Sequence, residues 1–572
     1  MDDFRPPVAA RRARQNIQKQ VNNPHMQFLR WSCVKLLNSP THSVLSLVLP
    51  LSFLEAESYR YARKFLAKQF SSAWIVSVDA DARTGVRSDS LFHTLQGRAV
   101  VILTHAYGAT NGLSRYHFCD LSHLNMDEKL HKLQESMEEV FPSFSEHLIN
   151  TETFAFSPAK PFNEAMYNRF WPVSGEEGQS AIFSRHCSGI KLAPTAVFTH
   201  VKAPMLKRRS KDIATGGVVI AHEWFSHQDR PPKDDKILAF QAALNNCGNT
   251  QSIDSLLSNN IVKYSFRPFV LSNVLLWRDL LQKYAQIGGG GTRLRPEIIS
   301  AYARPDTIGF AMAHAPKDLN PTLSQFVSFC WYYPDNDMCT RGNSHIYMNQ
   351  YPQADAHTME NNVNSTLLAN ICELTGASSS EAARMVVFYS FAVLCSQVYL
   401  DEFEGALFTV NQSDKRARVP IVCDKRIFNN LCRMGEKLAE LEKAGYTPDN
   451  VLNLDYDDIL SRLPRGFHLQ NSAHPFDEEN ELLVLSDGRS TIQIPCPIAL
   501  QKLNISGYDV IKNAWLKFYS YDFAHCELTS EDIIELLNLL NRLTIHSRLV
   551  AQVDDLVYQI LHNEVPLFLP EQ

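Results

Sequence analysis

Between Met26 and Leu37 the apolar residues Phe28, Leu29, Trp31, Val34 and Leu37 recur at roughly helical spacing, which predicts a helix. The run SVLSLVLP (43–50) reads as a buried strand closed by Pro50. In ESYRYARKFLAKQF (57–70) the pattern is two-sided, with Tyr61, Phe65 and Leu66 inward and Arg60, Arg63, Lys64 and Lys68 outward. WIVSVDA (74–80) and AVVILTHAY (99–107) are further strands, and the apolar run AVVIL, bounded by Gly97 and Thr104, reads as buried on both faces. The order strand, helix, strand, loop, strand predicts an α/β sheet with crossovers. Near residue 150 the character changes. Residues 151–380, rich in Pro, Asn, Ser and aromatics in short alternating runs, predict a mixed domain with many loops. EAARMVVFYSFAVLCSQVYL (381–400) predicts a long buried helix opened by a capping-box pattern, SSSE. The rest, to 572, reads as mostly helical. Ahead of residue 24 a basic arm (1–23) carries Arg11, Arg12, Arg14 and Lys19.

Composition narrows the classes. A chain of 572 residues holds two to four domains. Its net charge of −6 gives no global basic signal, so a nucleic-acid surface must be a local patch. Twelve cysteines without a CxxC pair suit reduced thiols and a cytoplasmic setting better than disulfides or zinc. The longest apolar stretches are too short or too interrupted to span a bilayer, and the start has no secretory signal, so no membrane is expected.

Four stretches carry candidate chemistry. KAPMLKRRSK (202–211) holds Lys207, Arg208 and Arg209 in the clearest basic run, suited to backbone phosphates or simply a solvated loop. GGGGTRLR (288–295) presents Arg293 and Arg295 after four glycines; a plain flexible loop is the simpler reading, and no Lys-Ser/Thr follows to make a nucleotide-phosphate loop. In YSFRPF (264–269) Arg267 either meets a phosphate or base edge or braces the turn set by Pro268. Phe92 ends a polar stretch just before AVVIL and is either core or a surface on which a flat group stacks. HEWFSH (222–227) is no zinc-protease motif, because its histidines are five apart. DNDMC (335–339) lacks the Gly and Glu of a calcium loop, and no metal site is expected.

The order of several segments resembles a known family. NPHMQFLRWSCVKLL (24–37), VLPLSFLEAESYRYARKFLAKQF (48–70), DADAR (79–83), LFHTLQG (91–97) and DEKL (127–130) resemble the second half of the N6-adenine DNA methyltransferase domain. Beyond residue 150 the likeness narrows to type ISP restriction–modification enzymes, carried by SGIKLAPTAVFTH (188–200), YSFRPF, SHIYMNQYP (344–352) and the run from VVFYSF (386–391) to MGEKLAELE (434–442). The resemblance implies that residues 24–150 are part of a Rossmann-like methyltransferase sheet and that 151–380 form a target-recognition domain. A helical C-terminal part of the specificity region would fill 381–572. It implies double-stranded DNA as partner, Phe92 as the base-stacking aromatic, and Lys191 of the SGIK segment among the DNA contacts. The acidic residue and G-x-G of the S-adenosylmethionine loop are absent, as is the N/D-P-P-aromatic catalytic tetrapeptide. No catalytic residue is therefore assigned to this chain. S-adenosylmethionine and catalysis are expected from a partner chain or N-terminal half, and the chain alone is expected not to methylate DNA. The alternatives are a non-catalytic DNA-binding specificity protein and an assembly subunit of a defence complex.

Overall fold

A computed structural model describes residues 2–570, except 6–21, 80–89, 93–96, 108–111, 136–140, 152, 159–161, 176–179, 229, 249, 314–324, 340–343, 354–357, 409–416 and 473. Arg11, Arg12, Arg14 and Lys19 of the N-terminal arm, most of DADAR and the middle of LFHTLQG lie outside the described residues. The chain forms two compact units. The first is residues 1–162 with 320–322 and 404–415, and the second is the remainder. The helical C-terminal region thus belongs to the same unit as residues 163–319.

The first unit is built on a five-stranded sheet. Helix α1 (Pro24–Leu37), with proline in its first turn, precedes strand β1 (Ser43–Pro50). Helix α2 (Arg60–Gln69) leads to β2 (Ser72–Asp79), followed by β3 (Arg98–His105), β4 (Arg115–Asp120), helix α3 (Met126–Gln134) and β5 (Ser145–Leu148). The strand order is β1-β3-β2-β4-β5. β3 is antiparallel to both neighbours, whereas β2 and β4 run parallel.

Three sequence expectations change here. β3 is not buried on both faces: Ala99, Val101 and Leu103 enter the core while Val100 and Ile102 are half-buried. β1 is an edge strand, with Leu45 and Leu49 inside but Val44 65% and Val48 46% exposed. Arg63, expected outward, is fully buried. Its Nε donates to the Phe154 carbonyl (2.9 Å), Nη1 to Phe53 (3.0 Å) and Ala56 (2.8 Å), and Nη2 to Glu55 (3.1 Å) and Thr153 (3.0 Å). A guanidinium has five N–H donors, and here each meets a backbone carbonyl of a neighbouring turn or loop.

The second unit holds two four-stranded sheets. Strands β6 (Cys187–Ser188), β7 (Thr199–His200), β8 (Ile261–Arg267), β9 (Val270–Leu275), β10 (Gly309–Ala313), β11 (Val327–Cys330), β12 (Tyr333–Pro334) and β13 (Ser344–Met348) divide into the orders β12-β8-β9-β7 and β11-β10-β13-β6. Helices α4 (Ala203–Phe225), α5 (Asp234–Asn245) and α6 (Arg278–Gln286) join the first of these in one large core, closed by α7 (Pro296–Tyr302). The expected long helix over 381–400 stops at Cys395. Helix α8 (Ser379–Cys395), buried almost throughout, ends where Ser396 turns extended and its hydroxyl donates to Asp554 (2.6 Å). Amphipathic α9 (Lys425–Glu440) and the long α10 (Ser530–His562) follow, but between them β14 (Phe476–Asp477), β15 (Leu482–Ser486) and β16 (Thr491–Pro495) make a small sheet in a region expected to be helical. No single helix among the described residues is long and apolar enough to cross a membrane.

Candidate nucleic-acid interface

Two exposed places gather the candidate residues, one in each unit. In the first unit the chain returns toward the sheet at Ser90. Leu91 packs against the small apolar cluster of Val76, Val78, Cys119 and Leu121, and Phe92, next to it, is 38% exposed. The Phe92 N–H donates to Asp79, the last residue of β2 (3.3 Å). The ring is therefore a surface group at the end of the strand, not a core residue.

In the second unit the SGIKLAP segment is fixed residue by residue. Gly189 lies so close to the Asp335 carbonyl that a Cβ there would sit 2.4 Å from its oxygen. Ile190 is buried; its N–H donates to Pro334 (2.9 Å) and its carbonyl accepts from Asn336 N–H (2.8 Å) and the Tyr264 hydroxyl (3.1 Å). Leu192 is buried as well, so in this extended stretch Lys191 must point outward, and it is exposed.

The glycine run brings Arg293 to the same spot. Gly288, Gly290 and Gly291 have φ of +99°, +42° and +84°, a left-handed path that ends α6 and reverses the chain. The turn is held by the Gly289 N–H on the Tyr284 carbonyl (2.8 Å) and by Lys236 Nζ on the Gly288 carbonyl (2.8 Å). These glycines make a hydrogen-bonded helix cap, not the plain loop expected from the sequence. Two residues on, Lys191 N–H donates to Arg293 (3.1 Å) and Arg293 N–H to Lys191 (2.7 Å). Directly opposed residues of an antiparallel pair share a face, so two exposed cations stand side by side. Neither has an ion pair among the described residues.

The other predicted cations are placed differently. KAPMLKRRSK is the start of helix α4, not a loop, so successive residues point about 100° apart around its axis. Lys207 and Lys211 both reach Asp254, each at 2.7 Å. Arg208 is largely exposed, near Asp212 (3.8 Å) and the Trp224 ring. Arg209 is buried, its Nη2 donating to the Thr199 carbonyl (2.9 Å) and its Nε without a hydrogen-bond partner. Burial alone pulls its pKa down to about 9. The run does not form one patch.

Arg267 is equally committed to the interior. It ends β8 at a turn in which Phe269 has φ of +60°, and it is paired with Asp335 (2.9 Å), which also accepts from the Tyr264 hydroxyl (2.7 Å). The guanidinium lies 4.0 Å over the Phe266 ring and within 5.5 Å of Tyr508 and Phe518. This is the bracing geometry: the side chain is buried and its Nη1 is committed to Asp335 and the Phe266 carbonyl. Arg295 is half-buried at the start of α7 and acts on Cys187, whose thiol burial pushes up to about 12 against the pull of that cation.

Of the predicted contacts, then, the structure brings Lys191 and Arg293 together, leaves Arg267 and Arg209 inside and leaves Arg295 half-buried. Sequence reading missed Lys236, which holds the glycine turn, and Asp79, which holds the amides beside Phe92. A single acidic residue closing an apolar strand was the available signal for Asp79.

The family model for the type ISP C-terminal specificity domain matches residues 162–520. The chain belongs to that family. No curated protein matches it. Among solved structures it is similar to the ATP-dependent type ISP restriction–modification enzyme LlaBIII bound to DNA (13% identity, TM-score 0.61). It is also similar to a nuclease-deletion mutant of the type ISP enzyme LlaGI in complex with a DNA substrate mimic (14%, 0.59) and to DrdV in its DNA complex (16%, 0.59). In each case 94% of this specificity chain is covered, but only 34%, 40% and 52% of the other, so it spans about a third to a half of those proteins. At such identities the likeness is one of fold: a mixed α/β arrangement with several small sheets.

Proposed function

We propose that the chain is the DNA sequence-recognition and base-pocket portion of a type ISP-like adenine-N6 DNA methyltransferase serving restriction–modification or phage defence. The observation that carries the DNA reading is the Lys191–Arg293 pair. Like charges directly opposite on one face of a strand pair are destabilising, and no carboxylate relieves them among the described residues. A phosphate between them would. That the three similar structures are DNA complexes supports the same partner. In this reading the first unit is part of a Rossmann-like methyltransferase sheet, and Phe92 supplies a flat face for an extruded adenine.

S-adenosylmethionine and the catalytic tetrapeptide belong to a half outside this sequence. Gly97 and Gly112 of the first unit are engaged in the fold itself and do not fit that cofactor: Gly112 packs against the Ala67 carbonyl, and the Gly97 carbonyl accepts from Leu51. Exposed Val44 and Val48 on edge strand β1 support a missing neighbour there.

The test is duplex binding across a salt series. Neutralising Lys191 and Arg293 together should lower the slope of log K against log salt by about one, because the phosphate they share contributes roughly 0.9 on B-DNA. An unchanged slope would remove this pair from the interface.

A further inference from the structure

We infer that Asp79 is a positioning residue, fixing the ring of Phe92 for a stacked base; the inference rests on the reading of Phe92 given above. The side chain of Asp79 is fully buried at the end of β2. One carboxylate oxygen accepts the Leu91 N–H (2.8 Å); the other accepts the Ser90 hydroxyl (3.0 Å) and the Phe92 N–H (3.3 Å). The fourth donor is Lys129 Nζ at 3.4 Å, itself fully buried. Lys129 is brought there by α3, whose start is fixed by reciprocal bonds between Asn125 and Glu128, each 3.0 Å.

The geometry does one thing to the chain. Two successive amides held by one carboxylate fix the orientation of the peptide between Leu91 and Phe92. With Leu91 drawn into the cluster of Val76, Val78, Cys119 and Leu121, the next side chain is turned outward. A free loop would leave an exposed Phe to fold down onto apolar surface. A buried ion pair contributes little net stability compared with apolar residues of the same size, so the pair is best explained by the conformation it specifies. Held this way, the ring meets a base without first paying the entropy of ordering.

Three measurements on the full chain test this. Hydrogen exchange of a peptide reporting the Leu91 and Phe92 amides should quicken about tenfold in Asp79→Asn, the loss of roughly one hydrogen bond. Unchanged exchange overturns the latch. Asp79→Asn with Lys129→Met, which removes both charges, gives the same comparison if the single variant melts. The second measurement is fluorescence titration with a duplex carrying a bulged 2-aminopurine. Phe92→Ala and Asp79→Asn should each weaken quenching of the probe, and the double variant should be no worse than Phe92→Ala alone. Additive losses would show that Asp79 acts elsewhere and overturn the proposal. The third is the Phe92→Ala titration taken by itself. If it changes nothing while exchange at Leu91 and Phe92 still responds to Asp79, the stacking reading falls, and with it the positioning role, whereas the hydrogen-bonded latch stands as structure.

Discussion

Arg267 shows how far one side chain can depart from what its motif invites. A guanidinium within YSFRPF offers a fork for phosphate, yet this one is buried, its Nη1 is bonded to Asp335 and its faces lie against Phe266, Tyr508 and Phe518. Removing one member of a buried pair strands the other, at about 3–5 kcal/mol. Arg267→Met should therefore lower unfolding free energy in denaturant titrations by about that much, leaving DNA affinity of the folded fraction unchanged. A stable variant with weakened binding would restore the contact role. Glu442 makes a second residue-scale case. Its buried carboxylate accepts the Phe329 N–H (2.9 Å) and the Phe269 N–H (3.4 Å), and burial pushes its pKa up to about 7 against those bonds and the charge of Arg542. A carboxyl whose pKa is raised on folding is protonated more in the native state, so its contribution to stability is present below the unfolded pKa and declines as pH rises to about 7. Buried His200 and His546, with pKa lowered by burial to about 3 and about 4, oppose this by favouring the native state as pH rises. The difference between wild type and Glu442→Gln isolates the carboxyl. Between about pH 4.5 and 7 the wild type should lose up to about 3 kcal/mol relative to the variant, and a flat difference would mean that Glu442 titrates normally.

Among the elements, β4 and β5 were not legible from periodicity, whereas strands β1, β2 and β3 and the helices at 24–37 and 60–69 were. Their burial was not, because one sequence cannot tell an edge strand from a central one. Val44 and Val48 have strand character in either place, and in the edge strand β1 they lie on the face opposite the buried Leu45 and Leu49. Arg63 and Arg209 were misplaced for a related reason: hydropathy assigns arginine to water, whereas each is held inside by carbonyl acceptors, for Arg63 partly from sequence about 90 residues away and for Arg209 from Thr199. The basic run at 202–211 lost its meaning as a patch once it became a helix, since a helix distributes neighbours around its axis. Lys191 and Arg293 lie 102 residues apart, and their pairing depends on a turn whose glycines were visible but whose direction was not. The edge strand yields its own prediction. Val48→Lys adds a charge to an exposed position, so it should leave the melting temperature within a degree or two, surface substitutions being worth about 0.5 kcal/mol or less. It should also reduce association with a polypeptide supplying the missing half, measured by light scattering of the mixture. A large fall in melting temperature would show that Val48 is already covered.

For the whole molecule, the proposed function implies a division of labour between recognition and chemistry. A specificity domain family member that spans a third to a half of the proteins it resembles carries candidate phosphate contacts and an exposed aromatic, but no glycine-rich cofactor turn in its sequence. If the proposed function holds, these parts separate in experiment. The chain alone should bind duplex DNA with a steep salt dependence, because sequence-independent affinity comes from phosphates. Yet it should retain no S-adenosylmethionine in equilibrium dialysis and transfer no labelled methyl group to DNA. Adding a polypeptide with the acidic-G-x-G loop and the N/D-P-P-aromatic motif should restore both cofactor retention and adenine labelling, and Phe92→Ala should then reduce the labelling while cofactor retention stays intact. Stacking one base on an aromatic is worth roughly 1–3 kcal/mol, which predicts a loss of about five- to 150-fold in transfer if that energy is expressed in the transition state. Methyl transfer by the chain alone would end the split-enzyme reading. DNA binding with no transfer under any complementation would leave a non-catalytic specificity protein, in which the Lys191–Arg293 pair still has its phosphate but Phe92 has no base to hold.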